Sequence, residues 1–378
     1  MLSSNELLFL HLFLIKGVGP SLIIALFKKA EMMGYAFSDL YNFSVSDFVN
    51  LVGLKEGVAS IIKNGLSDKR RLNDEIQLAE EKGIKILTYC SKFYPYLLKE
   101  IAVPPPVFYL WSRGRIDDLD FNKGLAVVGS RRADQYSTLV LRCILPSLVH
   151  SGWLIVSGGA IGADSMAHRI TMDNGGKTVA VLGSGLLSPY PFINVNLFED
   201  IIAKGGALAS IFPLKAKAER WNFPVRNRVI SGLCKGVLVL QATRKSGALI
   251  TAAYGLEQNR LLFAVPGVLS NDLSEGPHLL IKNGAKLVER ASDILEEFDD
   301  FTGSGYEGRE NEGLQKNNSV EKFGDKKLFA LLSQKAMSLE EIAFYYEDLP
   351  EEDLSERLFS LQLKGQVRQN AAGFWELC

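Results

Sequence analysis

Four glycine-rich segments carry the residue types that hold phosphate: Gly129-Ser130-Arg131, Ser157-Gly158-Gly159-Ala160-Ile161-Gly162, Gly183-Ser184-Gly185 and Lys245-Ser246-Gly247-Ala248. Small residues let backbone amides come close to an anion, and the adjoining Arg131 and Lys245 add positive charge. Glycines at such places equally serve tight strand-to-helix turns. The dinucleotide fingerprint G-x-G-x-x-G is not met: Gly158-Gly159-x-x-Gly162 is preceded by Ser157, and Gly183-x-Gly185 lacks a third glycine three residues on. The phosphate-loop lysine motif is absent too, so neither NAD nor ATP is expected, and no cofactor is predicted.

A second basic group, Arg226-Asn227-Arg228, follows Phe223-Pro224, with Lys215, Lys217, Arg220 and Trp221 just upstream. On single-stranded nucleic acid such a run would pair arginines with phosphates and stack bases on the rings, each stack contributing about 1–3 kcal/mol. The competing reading is a solvated helix start with Trp221 and Phe223 in the core. Asp164 and His168 stand four apart on one helix face. No nucleophile elbow or second carboxylate accompanies them, so helix capping by Asp164 and a satisfied buried His168 are preferred over catalysis. Cys90, Cys143, Cys234 and Cys378 are far apart, without a C-x-x-C pair or a histidine at ligand spacing, which predicts no metal and a reduced cytoplasmic setting.

The glycine loops need strands to present them. Leu125–Val128, Trp153–Val156, Thr178–Leu182, Gly236–Gln241 and Leu261–Val265 are short apolar runs alternating with helical stretches, the pattern of a parallel sheet covered on both faces. This predicts an α/β, doubly wound domain, with every glycine loop at a strand's carboxyl end. Upstream, Asn5–Leu14, Pro20–Ala30, Ser46–Leu51, Lys55–Asn64 and Ser67–Lys82 read as helices. The turns at Gly17-Val18-Gly19 and Gly53 join helical segments; the first is either a helix-hairpin-helix anion site or, like the second, a plain αα-hairpin turn of a small helical domain. Pro104-Pro105-Pro106 marks a rigid extended connector.

Leu7–Ile15 is too short for a membrane span, and no membrane association is expected. Residues 299–320 read as a polar linker. Beyond it, Lys326–Ser333, a capping box at Ser338-Leu339-Glu340-Glu341, Glu351–Leu363, and strands at Gln366–Arg368 and Gly373–Leu377 read as a winged-helix-like module.

Charge follows the same division. The whole chain carries 42 Lys and Arg against 43 Asp and Glu. Residues 121–288 hold 18 basic and 9 acidic side chains, whereas residues 289–378 hold 10 and 20. The central domain is thus suited to an anion and the acidic C-terminal module to a protein contact.

Taken together, Val128-Gly129-Ser130-Arg131, Ser157-Gly158-Gly159-Ala160, Leu182-Gly183-x-Gly185 with Tyr190-Pro191, Phe223-Pro224-x-Arg226-Asn227-Arg228, Ser246-Gly247-x-Leu249-Ile250-Thr251 and Phe263-Ala264-Val265-Pro266-Gly267 resemble the DNA-processing protein A (DprA, or Smf) family. The resemblance implies an extended Rossmann-like domain over residues 85–298, between a helical domain at 1–84 (helix-hairpin-helix or SAM-like) and a winged-helix-like domain at 321–378. It implies a homodimer that binds and protects single-stranded DNA without catalysis and loads the RecA recombinase during natural transformation and recombination. Carried onto this chain, the DNA-binding residues are Gly129, Ser130, Arg131, Gly158, Gly159, Arg220, Phe223, Arg226, Asn227, Arg228, Lys245, Ser246 and Gly247. The chain has Gly162-Ala163-Asp164 where the family commonly has isoleucine or valine in the middle. It has Ser210-Ile211 and Gln241-Ala242 where Ser-Glu and Glu-Ala are common. The loss of two acids disfavours carboxylate chemistry. The alternative is a Rossmann-like nucleotide hydrolase of the phosphoribohydrolase type, which would want a carboxylate three residues after Thr251; here Glu257 comes six residues after it.

Overall fold

The computed structural model describes residues 2–299 and, further on, 328, 331–333, 335–346, 354, 357–358, 361–362, 367–370 and 374–377. The chain divides into two compact units, Met1–Ser304 and Gly305–Cys378. The first begins with five helices, α1 (Ser4–Leu14), α2 (Pro20–Met32), α3 (Val45–Asn50), α4 (Glu56–Ser67) and α5 (Arg70–Lys82). Their starts are chemically marked: Ser3 and Glu6 form a capping box at α1, and Pro20 occupies the first turn of α2. Gly17, at φ +93°, takes the left-handed conformation that lets α1 turn into α2. Phe9, Ile23, Phe37, Phe48 and Ile62 form the centre of a helical core. Leu10 and Leu14 of α1 and Leu72 and Ala79 of α5 instead join a cluster with Val107, Tyr109 and Leu208 of the sheet.

The sheet has nine strands: β1 (Ile84–Thr88), β2 (Val107–Trp111), β3 (Gly124–Val128), β4 (Leu154–Ser157), β5 (Thr178–Val181), β6 (Ala207–Ser210), β7 (Gly236–Val239), β8 (Leu261–Ala264) and β9 (Lys286–Leu287). Their order is β1-β2-β6-β5-β4-β3-β7-β8-β9. From β6 to β9 every pairing is parallel, while β2 pairs antiparallel with β6 and with β1. The doubly wound reading therefore holds for the centre, with an antiparallel pair added at one edge. Pro104-Pro105-Pro106 runs into β2, so this connector lies within the sheet, between two paired strands, and a short helix, α6 (Tyr96–Lys99), precedes it.

Side chains alternate across the sheet as strand geometry requires. Ala126, Val128, Val237 and Val239 enter one apolar layer, while Leu125, Val127, Leu238 and Leu240 enter the opposite one. The first layer is closed by α10 (Asn222–Gly232) and α11 (Gly247–Glu257), through Val229, Ile230, Ala248 and Ala252. On the opposite face α7 (Gln135–His150) and α8 (Ala163–Asp173) contribute Leu141, Leu145, Ala167 and Ile170. Helix α9 (Val195–Ala203) packs Phe198 and Ile201 near β5 and β6, and α12 (Glu275–Lys282) and α13 (Ser292–Asp299) complete the unit. The chain steps outward from β3 to β4, β5 and β6, then returns to place β7 on the other side of β3. A crevice opens at the carboxyl ends of β3 and β7, where an open α/β sheet collects ligands.

In the C-terminal unit the capping box at Ser338 and Glu341 opens a helix, Leu339–Phe344, and Val367–Gln369 pairs antiparallel with Trp375–Leu377. Leu328, Leu332, Met337, Ile342, Leu358 and Trp375 share an apolar cluster. The expected linker, and most residues of the other two expected helices, lie outside the described residues, and those that are described do not establish a winged helix. Among the described residues no helix is long and apolar enough to cross a membrane, and no cluster of three or more metal-ligating side chains occurs.

Candidate functional site

The crevice beyond β3 and β7 is a cleft of about 340 Å³. One wall is the loop Gly129–Arg132, which leaves β3 and doubles back. Ser130 donates its backbone N–H to Gln241 O at 2.6 Å, its Oγ accepts from Arg132 N at 3.0 Å, and its carbonyl accepts from Ala163 N at 3.1 Å. That closeness demands Gly162, at φ +80°, because a Cβ there would strike the carbonyls of Ser130 and Arg131. The opposite wall is the loop after β7 and the first turn of α11, where Ser246 Oγ caps Ala248 N at 3.3 Å. A Cβ at Gly247 would meet nothing within 4 Å, so the first turn of this eleven-residue helix borders the cleft at its glycine, with Ala248 N and Leu249 N already taken by Ser246.

Between the walls stands Phe223, in the first turn of α10. Two guanidinium groups approach its ring, Arg131 and Arg226 each 5.7 Å from the ring centroid, and Tyr190 packs against it at 5.9 Å. Trp221 is 70% exposed and Phe223 half-buried, so neither ring is a core residue.

The two guanidinium groups differ in role. Arg131 is exposed. Arg226 is 5% exposed, and its Nη1 donates to Gly158 O and, at 2.7 Å, to Val181 O. Burial pulls its pKa down to about 10, opposed by the attraction of Asp164 and reinforced by Arg131. Asp164 accepts from Gly158 N at 3.1 Å and Ala160 N at 3.2 Å. Burial raises its pKa, with Arg226 and the loop amides working the other way. A Cβ at Gly158 would collide with both Arg226 and Asp164. The Gly158-Gly159 segment is thus an internal brace: the Gly158 amide and the carbonyls of both glycines are used within the protein.

His168 does not reach the cleft. It is fully buried, and its Nδ1 lies 2.7 Å from Thr178 Oγ1, whose hydroxyl donates to Ile155 O at 2.7 Å. Nδ1 therefore carries the proton, and Nε2 is left without a partner. Burial, with Arg226 nearby, lowers its pKa to about 3. The role of both residues is structural, but not the expected one: Asp164 binds amides of the preceding loop instead of capping α8, whose start has no side-chain cap, and His168 is satisfied at one nitrogen only.

Of the residues singled out from sequence, Gly129, Ser130, Arg131, Phe223, Arg226, Asn227, Ser246 and Gly247 line this cleft. Lys245 is exposed on the same loop as Ser246, and Arg220 is exposed just ahead of α10. Arg228 is not in the lining. Residues two apart on a helix point to different sides, and the charge of Arg228 lies near Tyr254 and Tyr94, half-buried, with burial lowering its pKa. Arg132, Thr243, Ile250 and Thr251 also line the cleft. Arg132 was legible as the second member of an arginine doublet, and Ile250 and Thr251 as part of the Ser246–Thr251 motif; Thr243 carries no signal without the fold.

Comparison with known proteins places this geometry. The family described as DNA recombination-mediator protein A matches residues 85–299. The chain is 42% identical over 217 residues to DNA processing protein DprA of Bacillus subtilis (strain 168), covering 57% of this chain and 72% of that one. Among solved structures it is similar to DNA processing protein A from Streptococcus pneumoniae, with TM-score 0.67 and 30% identity over 78% of this chain and 98% of that one. It is also similar to DNA processing protein A from Helicobacter pylori, whose structure concerns a single-stranded DNA binding mode, with TM-score 0.51 and 25% identity over 58% and 96%.

Proposed function

The chain belongs to the DNA recombination-mediator protein A family, and on that premise we propose that it binds single-stranded DNA at the cleft between β3 and β7. The observation that carries the reading is the Phe223 ring with Arg131 and Arg226 both 5.7 Å from its centroid, in the cleft that Ser246 and Gly247 also line. A ring stacks on any base and a cation takes phosphate, and neither reads sequence. Arg131 supplies the exposed charge, while Arg226 positions Phe223 and the Gly158 brace from below.

The wider role we propose is protection of incoming DNA and delivery of it to the RecA recombinase during transformation and recombination, by a cytoplasmic homodimer. Residues 1–84 and 321–378, the latter joined through 299–320, would serve as contact modules around the domain at 85–298. The reading is one of binding, not turnover. Asp164 is the carboxyl among the described residues lining the cleft, and its Oδ2 is engaged by loop amides. Glu257 closes α11 at the end away from the cleft, roughly 15 Å from Gly247 at 1.5 Å per residue.

The test is titration of a labelled oligonucleotide across salt. Arg131→Ala should weaken binding of unrelated sequences alike and lower the slope against log salt by about one. Unchanged affinity and slope would remove the cleft from consideration.

A further inference from the structure

Outside the cleft, four large apolar side chains stand in solvent on two neighbouring segments. Tyr190, Phe192 and Ile193, on the loop after β5, are 45%, 83% and 78% exposed, and Trp221, ahead of α10, is 70% exposed. Such side chains are unremarkable singly, but several on neighbouring segments mark a contact surface. The first segment reaches the cleft through Tyr190, whose ring meets Phe223, two residues beyond Trp221, at 5.9 Å and 60°.

Both segments are held firmly. Asn194, 6% exposed, donates from Nδ2 to Gly159 O at 3.0 Å, anchoring the loop just after Ile193. Asn222, 7% exposed, donates to Gly183 O at 3.0 Å, anchoring the chain just after Trp221. The rings are thus positioned before anything binds, which reduces the ordering cost of a partner. The approach to Trp221 is basic: Lys215, Lys217 and Arg220 are exposed there, against one acid, Glu219.

Resting on the cleft's role as a single-strand site, we propose that the strand leaving it continues over Tyr190, Phe192, Ile193 and Trp221, stacking unpaired bases on this second platform with its phosphates along Lys215, Lys217 and Arg220. Rings flanked by cations fit an unpaired anionic polymer. A duplex keeps its base faces stacked away, and an apolar protein partner would not call for three exposed cations.

The experiment compares two oligothymidylates, of about four and about sixteen nucleotides, binding to the full chain, Phe192→Ala/Trp221→Ala, Trp221→Phe and Arg131→Ala. The double variant should bind the short strand as the parent does and the long strand at least about tenfold more weakly, with an unchanged salt slope, because stacking rather than phosphate contact is lost. Trp221→Phe should keep long-strand affinity, and the long strand alone should quench tryptophan emission in a Trp221-dependent way. Parent-like affinity of the double variant for the long strand overturns the platform. So does a shift in its sedimentation without DNA, which would make the surface a contact between copies. If Arg131→Ala loses binding while the double variant does not, the platform alone falls; if Arg131→Ala binds both strands like the parent, the cleft reading falls first.

Discussion

The carboxylate of Glu75, on α5, accepts a hydrogen bond from the backbone N–H of Leu214 at 2.7 Å, tying the helical segment to the loop that leads into the basic stretch before α10. The same Oε1 accepts from Tyr109 Oη at 2.8 Å, and all three groups are buried. Replacing Glu75 with alanine leaves two buried donors without an acceptor, each costing about 1–3 kcal/mol. The variant should lose at least about 2 kcal/mol in chemical denaturation, and Glu75→Gln should lose less.

Phe223→Ala removes the ring that Arg131 and Arg226 both approach. Because the side chain is only half-buried, the fold should tolerate the change while single-strand affinity falls by about 1–3 kcal/mol. The salt slope should stay that of the parent, in contrast to Arg131→Ala; a steeper or shallower slope in the Phe223 variant would show that the ring acts by placing the arginines.

Arg228 offers a test between sequence and geometry. If it holds phosphate, Arg228→Ala should lower the salt slope by about one, as Arg131→Ala does. Its place near Tyr254 and Tyr94, away from the cleft lining, predicts an unchanged slope and a loss confined to thermal stability.

Gly158→Ala drives a methyl group into the Arg226 guanidinium and the Asp164 carboxylate. With both partners buried, overpacking should cost about 1–3 kcal/mol, measurable by thermal unfolding, and should weaken single-strand binding through displacement of Phe223.

His168 makes stability depend on pH. Its folded pKa is about 3 against 6.5 for a free imidazole, so below pH 6.5 the unfolded chain takes up a proton that the folded one refuses. Stability is retained above that value and declines as pH falls towards 3, by about 1.4 kcal/mol per unit. Asp164, with its raised pKa, acts in the opposite direction. A non-titrating His168→Gln variant isolates the histidine: between pH 7 and pH 5 the parent should lose about 2 kcal/mol more than the variant, and parallel losses would refute the assignment.

The central strands and the five leading helices were legible because apolar runs are punctuated by glycine, proline and capping residues. Ala207–Ser210 was not, since alanine and serine carry little strand preference. Ile84–Thr88 was not, because it starts directly after the glycine that ends α5. Within the site, Arg131 and Phe223 were readable from residue type. For Gly158 and Gly159, composition says that amides can approach an anion but not that Asp164, Arg226 and Asn194 engage this segment, which only the fold reveals.

The pairing of β3 with β7, Val128 opposite Val239, also sets when the site can exist. Arg131 emerges from the ribosome long before Gly247, and the wall facing it is made only after β4, β5 and β6 have been laid on the other side. A nascent or truncated chain ending before α11 lacks one wall of the cleft, so the crevice is complete only once the chain through α11 has been made.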